Sequence, residues 1–349
     1  MQTPQALLVR ADAGERMGTG HVMRCLALAQ AWHDSGGNTT FLAAGHLTTL
    51  SARLNQAGKV ERLDAEAGSD ADALETCSRA RRLGTSWIVL DGYHFSGGFQ
   101  RRIKEDGLRL LALDDYGHAE HYWADLVLNQ NLYARAETYR NREPHTELLL
   151  GTEFALLRHE FSKWRGWRRV VPECASKILV TLGGSDPDNV TLRVIQALAL
   201  LAIEPLQVVV VVGASNPHLP ALEKAVRQSK AAIELRANVT DMPELMAWAD
   251  VCLSAAGSTI WELLFMGLPT CCTVIADNQV AVASVLTDRS LAVNFGHATT
   301  LEPAVMAQRL RTVIEDQALR RALSARGQAF VDGHGARRIL EAMLSSQSR

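Results

Sequence analysis

VRADAGERMGTGHVMRC, residues 9–25, runs from an apolar strand through a glycine turn into a helix. The preceding ALLV (6–9) reads as the first strand, and the turn is built on Gly18 and Gly20. His21 then opens an amphipathic helix. A histidine there sits at the carboxyl end of a strand beside helix-terminal N–H groups, where open α/β sheets bind ligands. The helix N-terminus also disfavours imidazolium, which suits a neutral, base-competent ring at pH 7. Arg10 and Asp12 flank the strand end and are expected to brace the turn.

Working outward, strands and helices alternate along all 349 residues. The expected strands of the first half are 6–10, 39–44, 86–91, 108–113 and 126–128, with helices at 21–33, 47–57, 70–83 and 98–105. The second half repeats the grammar with strands at 177–183, 206–212, 233–235, 251–254 and 270–275, and it is helical from 302. Such alternation predicts an α/β protein of two doubly wound parallel-sheet (Rossmann-like) domains facing a cleft. The expected boundaries are 1–160 for the sugar and catalytic domain, 161–176 for a basic, tryptophan-bearing linker, and 177–349 for the nucleotide domain.

Composition narrows the function. A net charge of −2 gives no global pull toward nucleic acid or anionic lipid, so a small-molecule partner is expected. VVVVVG (208–213) is far short of a membrane span. Residues 1–6 lack the marks of a signal peptide, and Cys25, Cys77, Cys174, Cys252, Cys271 and Cys272 form no C-x-x-C pair. The expectation is a cytoplasmic protein with buried free thiols. Nothing in the sequence sets the oligomeric state.

Each candidate motif has a competing plain explanation. Gly18-x-Gly20 suggests a dinucleotide fingerprint, but Met23 stands where the third glycine belongs and TTFLAAGH (39–46) ends without a ribose-binding acid. LGGSDPDN (182–189) follows a strand and opens a helix, so Gly183, Gly184 and Ser185 can present backbone N–H groups to a diphosphate. It has no Lys-Ser/Thr and is not a Walker loop. Asp186 and Asp188 read more simply as caps than as metal ligands, and neither metal nor cofactor is expected. AAGSTIWELLFMGLP (255–269) gives a second close-approach turn at Gly257 and Ser258, with Thr259 opening the helix. Glu262 is its one carboxylate, either a dipole complement or a partner for ribose hydroxyls. Asn278 and Gln279 offer short polar groups for a sugar. DGYHF (91–95) puts Asp91 and Tyr93 at a third strand end, where they could orient water. LDD (113–115) fits a structural role as well as a site role.

In this order the motifs resemble the UDP-2,4-diacetamido-2,4,6-trideoxy-β-L-altropyranose hydrolases of pseudaminic acid biosynthesis. The resemblance is carried by RADAGERMGTGHVMRCLALA, DGY, LDD with ADLVLNQN, LLLGTEFALLRHEF, LGGSDPDN, AAGSTIWELLFMGLP and ADNQ, spanning residues 7 to about 290. Phe154 departs from the family's tyrosine. The resemblance implies a GT-B-type glycosyltransferase architecture and a UDP-sugar substrate held without metal. It implies His21 as catalytic base with Tyr93 as its helper, the diphosphate against Gly183, Gly184 and Ser185, and Glu262 on the uridine ribose. Ser258 and Thr259 would lie near the phosphates, and Asn278 and Gln279 near the sugar. Gly18, Gly20 and Arg24 complete the expected substrate-facing set, and a last helix near 335–349 would cross back to the first domain. A GT-B glycosyltransferase and a non-catalytic nucleotide-sugar binder are the alternatives.

Overall fold

The computed structural model describes residues 6–346 except 15–17, 46, 202, 214–215 and 238. Strands and helices form two compact units, 1–159 with 333–349, and 160–332. In the first unit the strands are β1 (Ala6–Ala11), β2 (Asn38–Ala43), β3 (Lys59–Arg62), β4 (Thr85–Asp91), β5 (Arg109–Leu113), β6 (Leu126–Asn129) and β7 (Glu147–Leu150). The helices between them are α1 (Gly20–Asp34), α2 (Thr48–Leu54), α3 (Asp70–Leu83) and α4 (Gly97–Glu105). All seven strands run parallel in the order β3-β2-β1-β4-β5-β6-β7. The order reverses between β1 and β4, and there the diverging loops leave a crevice at the strand carboxyl ends.

The central strands are apolar on both faces because helices cover both. Leu7, Val9 and Ala11 face α1, while Leu8 packs with Ile88, Leu90 and Phe99 on the α3–α4 side. On α1, Val22, Cys25, Leu26 and Ala29 repeat at helical spacing and bury with Trp32. The helix stops at Ser35-Gly36-Gly37. Gly36 takes φ +89°, and a Cβ on Gly37 would stand 2.2 Å from Trp32 Nε1.

The second unit contains β8 (Lys177–Thr181), α5 (Val190–Ala199), β9 (Gln207–Val212), α6 (Leu219–Gln228), β10 (Ala232–Ala237) and α7 (Met242–Trp248). It continues with β11 (Val251–Ala255), α8 (Thr259–Phe265), β12 (Thr270–Val274), α9 (Val280–Asp288), β13 (Val293–His297), α10 (Pro303–Glu315) and α11 (Gln317–Phe330). Its parallel sheet has the order β10-β9-β8-β11-β12-β13, with the switch between β8 and β11.

Residues 161–176 behave differently from the expected linker. Arg169 donates to the carbonyls of Met246 (2.5 Å), Ala249 (2.6 Å) and Met266 (3.1 Å), fastening the segment to the carboxyl ends of α7 and α8. From the other side, buried Arg320 donates to the Pro172 and Glu173 carbonyls at 2.9 and 2.8 Å. Arg169 thus caps two helix carboxyl ends while Arg320 holds the segment's own carbonyls, so the stretch belongs to the second unit. Cys174 within it is exposed, unlike the other five free cysteines.

The last helix, α12 (Gly335–Ser345), packs on the first unit. Ile339, Leu340 and Met343 join the α1 core beside Leu156. A Cβ on Gly335 would stand 2.2 Å from the Ala155 carbonyl oxygen and 2.6 Å from the Phe154 carbonyl carbon. Gly335→Ala must therefore push α12 off its seat, and a loss of about 1–3 kcal/mol is expected in urea unfolding. A wild-type midpoint for this variant would show the helix end to be loosely held.

Candidate active site

The first cluster grows from three strand ends. Gly18 takes φ +72° and pairs with Gly14 through two backbone hydrogen bonds of 2.7 and 3.3 Å. That closed turn delivers Gly20 and His21 to the first turn of α1, beside the end of β4. There His21 Nδ1 lies 2.6 Å from Asp91 Oδ1. Arg24, one turn further along α1, grips the same carboxylate with Nε at 2.6 Å to Oδ2 and Nη2 at 2.7 Å to Oδ1. Its Nη1 reaches Asp115 at 2.8 Å. Tyr93 donates its hydroxyl to Asp115 Oδ2 at 2.7 Å and stands edge-on to His21, with ring centroids 4.9 Å apart.

Burial alone would raise the Asp91 carboxyl, but Arg24 and His21 hold it well below the usual carboxylate range. An ionised carboxylate only accepts, so Nδ1 of His21 carries a hydrogen, and in the neutral ring the lone pair lies on Nε2. The 3.3 Å approach of Arg24 Nη2 to Nδ1 is then a packing contact, because that nitrogen is committed to Asp91. Burial likewise opposes ionisation of Asp115 and is overcome by Arg24 and Tyr93. Arg24, expected to touch substrate, sits between these two anions, which hold it protonated despite burial.

A second polar group lies on the other face of β1. Buried Arg10 bridges Asp72 and Asp12, each at 2.7 Å, and Asp12 lies 3.0 Å from His94 Nε2. Asp12 also accepts the Ala44 amide at 2.8 Å and titrates at about 2, where His94 and Arg10 offset its burial. The pair braces the end of β1 against α3, not the His21 turn that it was expected to brace.

In the second unit, Gly183, Gly184 and Ser185 leave β8 next to the Gly257–Ser258–Thr259 turn that leaves β11. Gly183 takes φ +90°. The first free amides of α5 are not offered to a ligand. Asp186 accepts the Val190 and Thr191 amides at 2.8 Å each and the Thr191 hydroxyl at 2.5 Å. It is thus the cap read from sequence, and an anion seat here must use the loop amides ahead of it. The neighbouring turn holds this loop in place. A Cβ on Gly213 would be 2.3 Å from the Gly184 carbonyl oxygen, and His218 Nε2 lies 3.0 Å from the Pro187 carbonyl oxygen. Gly213 and His218 were not expected from sequence; the glycine of GASNPHLP was the available signal.

Half-buried Glu262 occupies the first turn of the otherwise largely buried α8. Gln279 accepts the Ile275 amide at 3.1 Å, and its Nε2 would be 3.6 Å from a Cβ on Gly257, so the β12 turn abuts the β11 turn. Asn278 is exposed beside it. Among the described residues no group of three or more His, Cys, Asp or Glu side chains is placed to hold a metal ion. No helix among them is long and apolar enough to cross a membrane.

Residues 178–330 match the glycosyltransferase family 28 C-terminal domain. The resemblance to the UDP-2,4-diacetamido-2,4,6-trideoxy-beta-L-altropyranose hydrolases extends along most of the chain. The Campylobacter jejuni enzyme of that name is 24% identical over 291 residues, covering 83% of this chain and 98% of that one. The spore coat polysaccharide biosynthesis protein SpsG of Bacillus subtilis is 24% identical over 241 residues, or 68% of this chain and 70% of that one. A Methanocaldococcus jannaschii protein is 25% identical over 278 residues, and this chain spans only 55% of its length. In three dimensions the chain matches Acinetobacter baumannii MurG with TM-score 0.65 at 16% identity, covering 98% of this chain and 100% of that one. Anabaena HepE in complex with UDP-glucose gives TM-score 0.63 at 16% identity, over 98% and 99%. The fold is that of the GT-B glycosyltransferases.

Proposed function

We propose that the protein hydrolyses a UDP-linked 2,4-diacetamido-2,4,6-trideoxy sugar, with UDP-2,4-diacetamido-2,4,6-trideoxy-β-L-altropyranose as substrate, in pseudaminic acid biosynthesis. The observation that carries this reading is the His21–Asp91 pair at the switch point of the first sheet. It is an imidazole oriented by an anion, and its two members lie in the RADAGERMGTGHVMRC and DGY motifs that carry the resemblance to the hydrolase family.

Water attacks the anomeric carbon, and the C1–O bond to the diphosphate breaks with its electron pair leaving on UDP. His21 Nε2 takes a proton from the water as the new C–O bond forms, and Asp91 supports the imidazolium. UDP is a good leaving group, so the second unit has mainly to stabilise its growing charge. The amides of Gly183, Gly184 and Ser185, with Ser258 and Thr259, would do so, and Glu262 would take the ribose hydroxyls. Asn278 and Gln279 would contact the sugar. Attack opposite UDP inverts the anomeric centre, and no step calls for a metal.

The test is incubation with a panel of UDP-diacetamido sugars, read by mass spectrometry without an added acceptor. Release of UDP and free reducing sugar is expected. The glycosyltransferase match of the second unit favours one rival, which would release UDP only when a sugar or lipid hydroxyl is supplied. A substrate bound and left intact would identify a nucleotide-sugar binder instead.

A further inference from the structure

Four motifs of the first unit converge on one carboxylate. Asp115 follows β5 and is not part of the His21–Asp91 pair. Its Oδ1 accepts from Arg24 Nη1 at 2.8 Å and Asn131 Nδ2 at 2.7 Å, and its Oδ2 accepts from the Tyr93 hydroxyl at 2.7 Å. Its backbone carbonyl accepts Asn129 Nδ2 at 2.9 Å. Asn129 Oδ1 in turn accepts the backbone amide and Nδ2 of Asn131, both at 2.9 Å, so the amide that reaches Asp115 is itself held. Because Asp115 is ionised, it can only accept. The single hydroxyl hydrogen of Tyr93 is therefore committed to it, and any further partner of that oxygen must donate. Tyr93 and His21 are in edge-to-face ring contact, with ring planes 85° apart and centroids 4.9 Å apart.

We infer that Asp115 is a positioning residue for hydrolysis: by accepting the hydrogen bond that the Tyr93 hydroxyl donates, it makes the Tyr93 oxygen a second acceptor, beside His21, for the attacking water. This rests on the hydrolase reading above. A water that directs one hydrogen to His21 Nε2 and the other to Tyr93 presents an oxygen lone pair to the anomeric carbon. His21 takes its hydrogen as the bond to UDP breaks. Tyr93 keeps its own proton throughout, and Asp115 exchanges none.

Asp115→Asn reverses the arrangement with little change of shape. The amide oxygen can still serve Arg24 and Asn131, which turns the amide N–H groups toward Tyr93. The Tyr93 hydroxyl then accepts from the amide and points its proton at the water.

A double-mutant cycle over D115N and Y93F tests this, with turnover of the UDP-diacetamido sugar, KM and UDP affinity measured for each variant. Each single variant is expected to lose roughly 10–100-fold in kcat with KM and UDP affinity little changed. The double variant should be no slower than the slower single. Losses that multiply would show that Asp115 does not act through Tyr93. A loss confined to KM would put Tyr93 on the sugar instead of the water, and it equally overturns the assignment. Proton NMR supplies a readout independent of turnover. A downfield hydroxyl resonance that Y93F removes should be present in the wild type and absent from D115N; its absence from the wild type refutes the hydrogen bond itself. Wild-type protein that leaves the sugar nucleotide intact would instead refute the hydrolase reading, and the water role with it.

Discussion

Replacing His21 by Asn or Leu is expected to lower turnover by roughly 10²–10⁴-fold, the range that a positioned general base contributes. UDP affinity should stay within about twofold, because the ribose and diphosphate contacts proposed above come from other elements. The size of the effect follows from geometry. Asp91 accepts from Nδ1 at 2.6 Å, so the imidazole is fixed in the tautomer that leaves Nε2 able to take a proton. Asn has no basic nitrogen, and Leu has no polar atom at all, so neither can replace that function. Both fit a site where His21 is already mostly buried and where Val22 and Cys25 carry the packing of α1. Stopped assays of UDP release, set beside calorimetric UDP titration of the same variants, separate chemistry from binding. Near-normal release from either variant would remove His21 from the mechanism.

The residues that sequence could reveal are those whose neighbours in the chain carry the information. Gly18, Gly20 and His21 form one turn between a strand and a helix, and that turn is local. The same holds for Gly183 and Asp186, whose φ angle and cap are set within ten residues. Three strands were not expected: KVER (β3), ELLL (β7) and VNFGH (β13). All three lie at sheet edges. An edge strand pairs on one side only and is covered less, so β3 and β13 lack the continuous apolar run that marks β8 or β9, and β7 offers only three leucines. Asp115, Asn129 and Asn131 were present in motifs that carried the resemblance, but their meeting with Arg24 and Tyr93 joins residues up to 107 positions apart (24 to 131). No periodicity encodes that contact. Arg169 misled for a related reason. A basic, tryptophan-bearing stretch with a Gly and a Pro reads as a linker, whereas folding brings three carbonyls from two helix ends to the Arg169 guanidinium.

Asp91→Asn should produce the largest combined loss, in both stability and turnover. Asp91 is fully buried and takes two bonds from Arg24, one from His21 and a weaker one at 3.4 Å from Cys25 Sγ. Removing its charge leaves a buried guanidinium short of an anion, a change that costs about 3–5 kcal/mol in such pairs. Asp115 still holds Arg24 Nη1, which points to the lower end, about 3 kcal/mol. The amide also lets its N–H group face His21, which forces the hydrogen onto Nε2 and leaves the base in the wrong tautomer. A pH series distinguishes the charge from the shape. The folded carboxyls of Asp91 and Asp115 are held below their ordinary value, and Asp12 and Asp114 titrate at about 2 against 3.8. Their stabilisation is therefore complete above the ordinary carboxylate range and is lost as pH falls through the folded values. Urea unfolding of the wild type should weaken steadily from pH 4 toward pH 2, and D91N, lacking one of these groups, should weaken less over the same interval. Parallel acid losses, with D91N within about 1 kcal/mol of wild type at pH 7, would mean that Asp91 is not the anion on which Arg24 and His21 depend.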